Sequence, residues 1–306
     1  MDTRIVFMGS PDFAIPTLKS LIKQYPVIGV VTQPDRQAGR GQKLVQPPVK
    51  VLALKNDIPI IQPKSLRNAP DAKIQLEAWN PDVFVVAAFG QILEKEVLNS
   101  PPHGCLNVHA SLLPRWRGVS PIQAAILNGD HLTGVTVMKM DEGVDTGDIL
   151  AQYSIPIETD DTGGSLFNKL AQLGADLLIK TLPSYIKGEI IPKPQGSSPT
   201  PYAPMLKKSD GELDFAKPAE TLERQVRAFQ PWPGTYTYWQ GKLFKIHQSH
   251  VADIASPGEG IFIVVDQKPA VGTSKRVLVF DIVQPAGKKA MAGEAFLFGA
   301  KEWGNR

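Results

Sequence analysis

Cysteine occurs once in the 306 residues, at Cys105, so no disulfide can close within the chain and no Cys-rich zinc site can be built. Histidine is nearly as scarce. Five are scattered at 103, 109, 131, 247 and 250, and none falls in a His-Glu-x-x-His spacing. A Walker-type glycine loop is missing, as is Gly-x-Gly-x-x-Gly after the first apolar run, so nucleotide hydrolysis and ordinary dinucleotide binding lack a local motif. No uncharged apolar stretch reaches a membrane-spanning length, and Met1–Phe7 reads as a strand, not a leader. Repeats and low-complexity tracts are also missing. These absences predict a soluble, cytoplasmic protein with no bound metal and no membrane partner; a monomer is expected.

What is present is ordinary in amount and uneven in placement. Hydrophobic residues make up 42% of the chain and charged residues 21%, enough for one large core or two smaller ones and too apolar for disorder. The net charge of +3 sits entirely in the last third: Lys and Arg outnumber Asp and Glu by 14 to 11 between Leu206 and Arg306, while the rest balances. So small a surplus is weak support for a polyanionic partner.

The first two-thirds alternate between short apolar runs and helical patterns. Ile5–Met8, Val27–Val31, Ile58–Ile61 and Val83–Ala88 do not alternate polar with apolar residues, which predicts strands buried on both faces. Helices are predicted after Phe13, near Val49–Lys55 and around Ala72–Trp79. The pattern is that of an α/β domain with a doubly wound, mostly parallel sheet, whose ligands lie beyond the carboxyl ends of the strands. From Ile190 the chain becomes rich in Pro, Ser and Gly and reads as an extended linker. Beyond it, a helix at Ala219–Phe229 precedes runs at Thr235–Trp239, Leu243–His247, Gly260–Val265 and Arg276–Val283, the mark of a small antiparallel barrel. The predicted division is therefore a catalytic domain over 1–189, a linker over 190–206 and a barrel domain over 207–306.

Chemistry concentrates in two stretches. Asn107 and His109 are two residues apart, so on a strand they share one face with Val108 opposite. They could be a hydrogen-bonded polar pair closing a strand, or reactive groups at the mouth of an α/β site. Met140–Gly147 follows, with Asp145 between Gly143 and Gly147; it reads either as an acidic turn or as a loop bent to present a carboxylate. An amide donor, an imidazole and a carboxylate suit acyl transfer to an amine, which needs proton transfer and stabilisation of an oxyanion but no metal. A third stretch, Gln33–Lys43, carries Arg36, Arg40 and Lys43 against Asp35, with Gly39 and Gly41 between them. It is either a solvated loop or a phosphate-binding one, and Lys207 and Lys208 could extend the same basic track.

The run Asn107-x-His109-x-Ser111-Leu112-Leu113-Pro114-x-x-Arg117-Gly118, followed by Asp141-x-Gly143-x-Asp145-Thr146-Gly147, resembles the two-part signature of the folate-dependent formyltransferases. The resemblance implies a Rossmann-like formyltransferase domain with a C-terminal OB-like barrel. It implies Asn107, His109 and Asp145 as the catalytic trio: Asn107 polarising the formyl carbonyl, His109 stabilising the intermediate and moving protons, Asp145 orienting the imidazole. Ser111, Leu112, Leu113 and Pro114, with Phe89, Gly90, Gln91 and Ile92, would line the site for the donor, 10-formyltetrahydrofolate. Gly9–Ala14, the 33–43 stretch, Phe229–Thr235 and Gln284–Met291 are similar to the branch of the family that formylates initiator methionyl-tRNA. That implies tRNA contacts at Arg36, Arg40, Lys43, Lys207 and Lys208. Glu94, Met205 and Phe215 depart from the family pattern, where proline, lysine and tryptophan are usual. The rival expectations are a formyltransferase acting on a sugar-nucleotide amine and a catalytically silent RNA-binding protein.

Overall fold

A computed structural model describes residues 3–38, 43–196 and 199–304. The unalternating apolar runs assemble into a seven-stranded sheet in the order Ile149–Pro156, Leu132–Lys139, Cys105–His109, Val83–Ala87, Ile5–Gly9, Val27–Val31, Ile60–Ile61. The pairings from Cys105–His109 through to Ile60–Ile61 are parallel, and Leu132–Lys139 runs antiparallel to Cys105–His109. Every residue of Ile5–Gly9, Val83–Ala87 and Cys105–His109 is buried, as strands covered on both faces must be.

Helices supply the cover. Ile15–Gln24 accepts Pro16 because its missing N–H falls in the first turn, where no intrahelical partner exists. Pro70–Trp79 ends at Asn80, whose left-handed φ of 47° stops the helix. The long helix Gly163–Ile186 crosses the sheet behind the strand Cys105–His109. A β-carbon on Gly174 would lie 2.5 Å from Val108 Cγ1, so only glycine lets helix and strand approach this closely. With Val108 engaged by that helix, the strand's alternation turns Asn107 and His109 to the opposite face.

The chain divides into two compact units: residues 1–121, 133–155 and 167–203 form one, and 122–132, 156–166 and 204–306 the other. The second contains an antiparallel sheet in the order Thr235–Trp239, Lys242–Ala252, Val277–Pro285, Lys268–Gly272, Phe262–Val265, with Met291–Ala292 pairing Val277–Pro285. This is the OB-like strand set expected at the C-terminus. Its core is aromatic: Phe244, Phe280, Phe296 and Trp303 are buried, with ring centroids 4.9 Å apart for Phe244–Phe296 and 5.4 Å for Phe244–Trp303. The Trp303 indole N–H donates to Ile263 O at 2.8 Å, which satisfies the polar end of a buried ring. Phe215, one of the departures from the family pattern, packs edge-on against Phe262 in the same cluster.

Two expectations differ from what is observed. The 190–206 stretch does not run free. Lys193 and Ile149 exchange backbone hydrogen bonds of 2.8 Å, and Tyr202–Ala203 pairs in parallel with Arg117–Gly118, so residues through Ala203 belong to the first unit. Prolines at 192, 194, 199 and 201 exclude helix, but an extended chain can still pair through the N–H groups between them. The 33–43 stretch is not a plain loop either, since Arg36–Ala38 and Lys43–Val45 form a short antiparallel hairpin.

Candidate active site

Cys105–His109 carries Asn107 and His109 towards its carboxyl end. The loop after the antiparallel strand Leu132–Lys139 starts at the other end, where Met140 N donates to Cys105 O at 2.8 Å, and brings Asp145 back to the two side chains. The three groups meet. Asn107 Nδ2 donates to Asp145 Oδ1 at 3.4 Å, and His109 Nδ1 lies 3.5 Å from the same oxygen. His109 Nε2 is 3.0 Å from Trp116 O. A carbonyl only accepts, so Nε2 carries the hydrogen, and Nδ1 is the nitrogen that can take a proton beside Asp145. All three side chains are largely buried, with exposures of 9% for Asn107, 7% for His109 and 15% for the Asp145 side chain.

Asp145 has a left-handed φ of 54°, uncommon for a residue with a β-carbon, and its surroundings hold it there. The other carboxylate oxygen, Oδ2, accepts from Gly118 N at 2.9 Å. Its carbonyl accepts from Gln195 Nε2 at 2.9 Å. The loop itself is shaped by Asp141, whose Oδ1 accepts from Gly143 N at 3.1 Å and from Thr146 Oγ1 at 2.7 Å. Of the two aspartates in the motif, Asp141 therefore shapes the turn and Asp145 faces Asn107 and His109.

The residues expected to line the donor site flank this trio on the ends of adjacent strands. Thr136 Oγ1, fully buried, accepts from Leu113 N at 3.1 Å and donates to Ser111 O at 2.7 Å, while Gln152 Nε2 donates to Leu113 O at 2.8 Å. Ser111–Pro114 is thereby held as a rigid loop, with the Ser111 hydroxyl donating to Arg115 O at 2.6 Å. Phe89, Gly90, Gln91 and Ile92 follow Val83–Ala87. Phe89 is buried in the core, Gly90 takes a φ of 76°, and Ile92 is exposed. The Gln91 side chain is occupied in shaping the neighbouring loop, accepting from Leu66 N at 2.8 Å and donating to Pro63 O at 3.0 Å. Thr136, Gln152 and Gln195 are the supports that motif reading leaves out, and Arg117 stands in the motif without a role assigned to it. Of the first three, Thr136 alone leaves a sequence trace, as a hydroxyl inside the apolar run 135–138.

Cys105 begins the same strand. Its thiol is buried, and that burial pushes its pKa up to about 12, so it is no nucleophile at neutral pH. Among the described residues, no group of three or more His, Cys, Asp or Glu is placed to hold a metal ion.

The expected nucleic-acid contacts lie elsewhere. Arg36 is exposed and donates from Nη2 to Gln33 Oε1 at 3.1 Å. Arg40 lies outside the described residues, as does the Lys43 side chain, although the Lys43 backbone pairs with Ala38. Asp35 turns inward: Lys50 Nζ sits 2.8 Å from its carboxylate and Gln62 Nε2 donates to it at 2.8 Å. These partners, Gln62 first and then Lys50, hold the Asp35 carboxyl below its ordinary range. Asp35 is thus engaged by Lys50 and Gln62, while Arg36 bonds Gln33. Lys207 and Lys208 are exposed at the start of the second unit's part of the chain, and Met205 beside them is exposed too. Glu94, at a usual proline position, instead ion-pairs with Arg67 at 3.0 Å and Lys73 at 2.8 Å.

A parallel sheet that presents Asn, His and Asp together at its carboxyl edge, followed by an antiparallel C-terminal unit, has known counterparts. Residues 3–182 match the family described as formyl transferase, and residues 205–301 match formyl transferase, C-terminal domain. The chain belongs to the formyl transferase family. More particularly, it is 47% identical over 306 residues to the methionyl-tRNA formyltransferase of Myxococcus xanthus, covering 97% of this chain and 95% of that one. It is 46% identical over 298 residues to the methionyl-tRNA formyltransferase of Geobacter sulfurreducens, covering 97% and 93%. Among solved structures, the sugar 3N-formyl transferase WlaRD, crystallised in the presence of dTDP and 5-N-formyl-THF, shares the fold with a TM-score of 0.68 at 21% identity, over 94% of this chain and 100% of that one.

Proposed function

We propose that this protein transfers a formyl group from 10-formyltetrahydrofolate to the amino group of methionine on initiator methionyl-tRNA, a cytoplasmic reaction. The observation that carries the reading is the meeting of Asn107, His109 and Asp145 within 3.5 Å at the carboxyl edge of the sheet, in a chain with near-full-length relatives named for this reaction.

The chemistry follows from the groups. An amine adding to a formyl carbonyl generates an oxyanion and an ammonium; collapse then expels the donor nitrogen, which leaves with a proton. The bond to Asp145 uses one of the two Asn107 amide hydrogens, and the other can be donated to the formyl oxygen. One such donor is worth roughly 2.7–4 kcal/mol in the transition state. His109 Nδ1 takes the proton lost by the amine, and Asp145, 3.5 Å away, stabilises the resulting imidazolium. The same proton is then available to the leaving nitrogen. An acid/base group in this role supplies about 10²–10⁴-fold. Trp116 O keeps the ring from turning, so Nδ1 remains the working nitrogen.

Ser111–Pro114 and Phe89–Ile92 form the walls for the folate donor, and Arg36, Arg40, Lys43, Lys207 and Lys208 meet the phosphates of the tRNA. The first unit carries the chemistry, and the segment from Pro204 onwards carries the C-terminal tRNA-binding barrel. The test is formyl acceptance by the purified protein from 10-formyltetrahydrofolate, with methionyl-tRNA, free methionine and an amino-sugar nucleotide offered separately. Acceptance by methionyl-tRNA alone supports the reading; equal acceptance by the amino-sugar nucleotide removes it.

A further inference from the structure

Gln195 lies in the Pro-rich stretch, and its side chain spends its hydrogen-bonding capacity on the loop that carries Asp145 and on Arg117. Its Nε2 donates to Asp145 O at 2.9 Å and to Gly147 O at 2.7 Å. Its Oε1 accepts from Arg117 Nε at 3.0 Å and Nη2 at 2.9 Å. Two donors and two lone pairs are the full complement of an amide, so Gln195 ties the 141–147 loop to the 115–118 segment through one planar group.

The backbone on either side completes the clamp. Lys193 is hydrogen-bonded in both directions to Ile149, just past the Asp145 loop. Pro201 O accepts from Trp116 N at 3.2 Å, and Ala203 O from Val119 N at 2.8 Å. A β-carbon on Gly118 would lie 2.4 Å from Ala203 O, which leaves the strap no slack there. The two residues held most directly are non-glycines in left-handed conformation, Trp116 at φ 61° and Asp145 at φ 54°. One supplies the carbonyl that sets the His109 tautomer, and the other supplies the carboxylate beside Nδ1. Strained backbone of this kind persists where its surroundings over-determine it.

We infer that residues 193–196 and 199–203 act as a strap that positions the catalytic trio, and that Gln195 is its principal positioning residue, acting on the reaction through Asp145. The inference rests on the proposed role of Asp145. In Gln195→Ala both donated bonds are lost and the Asp145 loop is released. In Gln195→Glu the pairing with Arg117 survives while the donors facing two carbonyls are replaced by oxygen.

The experiment is steady-state formylation of methionyl-tRNA by the full chain, wild type against Gln195→Ala, Gln195→Glu, Asp145→Asn and the doubles. We expect Gln195→Ala and Gln195→Glu each to lower kcat by about 10- to 100-fold, the scale of a misplaced catalytic group. KM for tRNA and for the folate should move less than about twofold, and Tm by only a few degrees. In the Asp145→Asn background, Gln195→Ala should add little further loss, as expected for residues acting through one another. Wild-type kcat in both Gln195 variants, a loss confined to KM for tRNA, or full additivity with Asp145→Asn overturns the strap. If Gln195→Ala does not fold, Gln195→Glu, which keeps the Arg117 contact, decides the matter by the same readings. Undiminished activity in Asp145→Asn itself would instead overturn the role given to Asp145, a distinguishable outcome.

Discussion

The loops around Asp145 and the hairpin around Arg36 are both polar insertions after buried strands, and they are built on opposite plans. Asp145 is held at both carboxylate oxygens and at its carbonyl, by Asn107, Gly118 and Gln195. Arg36 is exposed, with a hydrogen bond to Gln33, on a hairpin of three-residue strands anchored at its base by Asp35, Lys50 and Gln62. The difference tracks the roles proposed for the two regions. Groups that act on a developing charge contribute only when they are aimed before the charge appears. Cations that meet a polyanion need only lie within reach of its phosphates, because neutralisation releases counterions whatever the detailed geometry.

That contrast can be broken most sharply at the trio. His109→Ala and Asn107→Ala should each lower kcat by about 10²–10⁴-fold while leaving tRNA affinity near wild type, measured by formylation rate and by filter binding at equal salt. A parallel collapse of tRNA affinity would erase the distinction between the two regions. Next in size come the cations. Arg36→Ala, Lys207→Ala and Lys208→Ala should weaken tRNA binding with little change in kcat, and each should reduce the slope of log affinity against log salt by roughly one. The deficit is then greatest at low salt and shrinks as salt rises; a deficit independent of salt would exclude phosphate contact.

A smaller effect belongs to the hairpin's base. The Asp35 carboxyl is held below its ordinary range by Gln62 and Lys50. A depressed carboxylate contributes stability above its unfolded pKa and loses it as pH falls through its folded pKa. Lys50→Met should therefore lower Tm at neutral pH by an amount that narrows on acidification, as read by thermal melts across the carboxylate range. Smallest of all is Cys105. With its thiol pushed up to about 12 by burial, native protein should resist alkylation at pH 8, and Cys105→Ser should leave the trio's rate constants within a factor of a few.

The parts legible in sequence are those where periodicity or residue type is local. Unalternating runs marked the strands, although Ile60–Ile61, at the sheet edge, is half-buried and not covered on both faces, and the two-residue spacing of Asn107 and His109 put them on one face. Asp145 was visible through its flanking glycines, although Asp141, equally acidic, differs from it only in the finished fold. Gln195 left no mark. Its partners are Arg117, Asp145 and Gly147, and contacts over such separations have no period. Its setting of Pro and Ser is also that of a linker. The long helix Gly163–Ile186 is hidden similarly, with glycines at its start and Pro183 near its end. The hairpin strands, three residues each, are too short to register as strands.

The division of the chain bears on how such a protein could be rearranged. Residues 122–132 and 156–166 group with the C-terminal unit although the chain returns to the first unit after each. No single junction therefore separates the two. A barrel from a relative grafted on after Ala203 would meet two host segments shaped for a different guest. Recombination that exchanges the second unit intact is thus expected to require three matched segments and five crossovers, which favours divergence of the whole chain over shuffling of its halves.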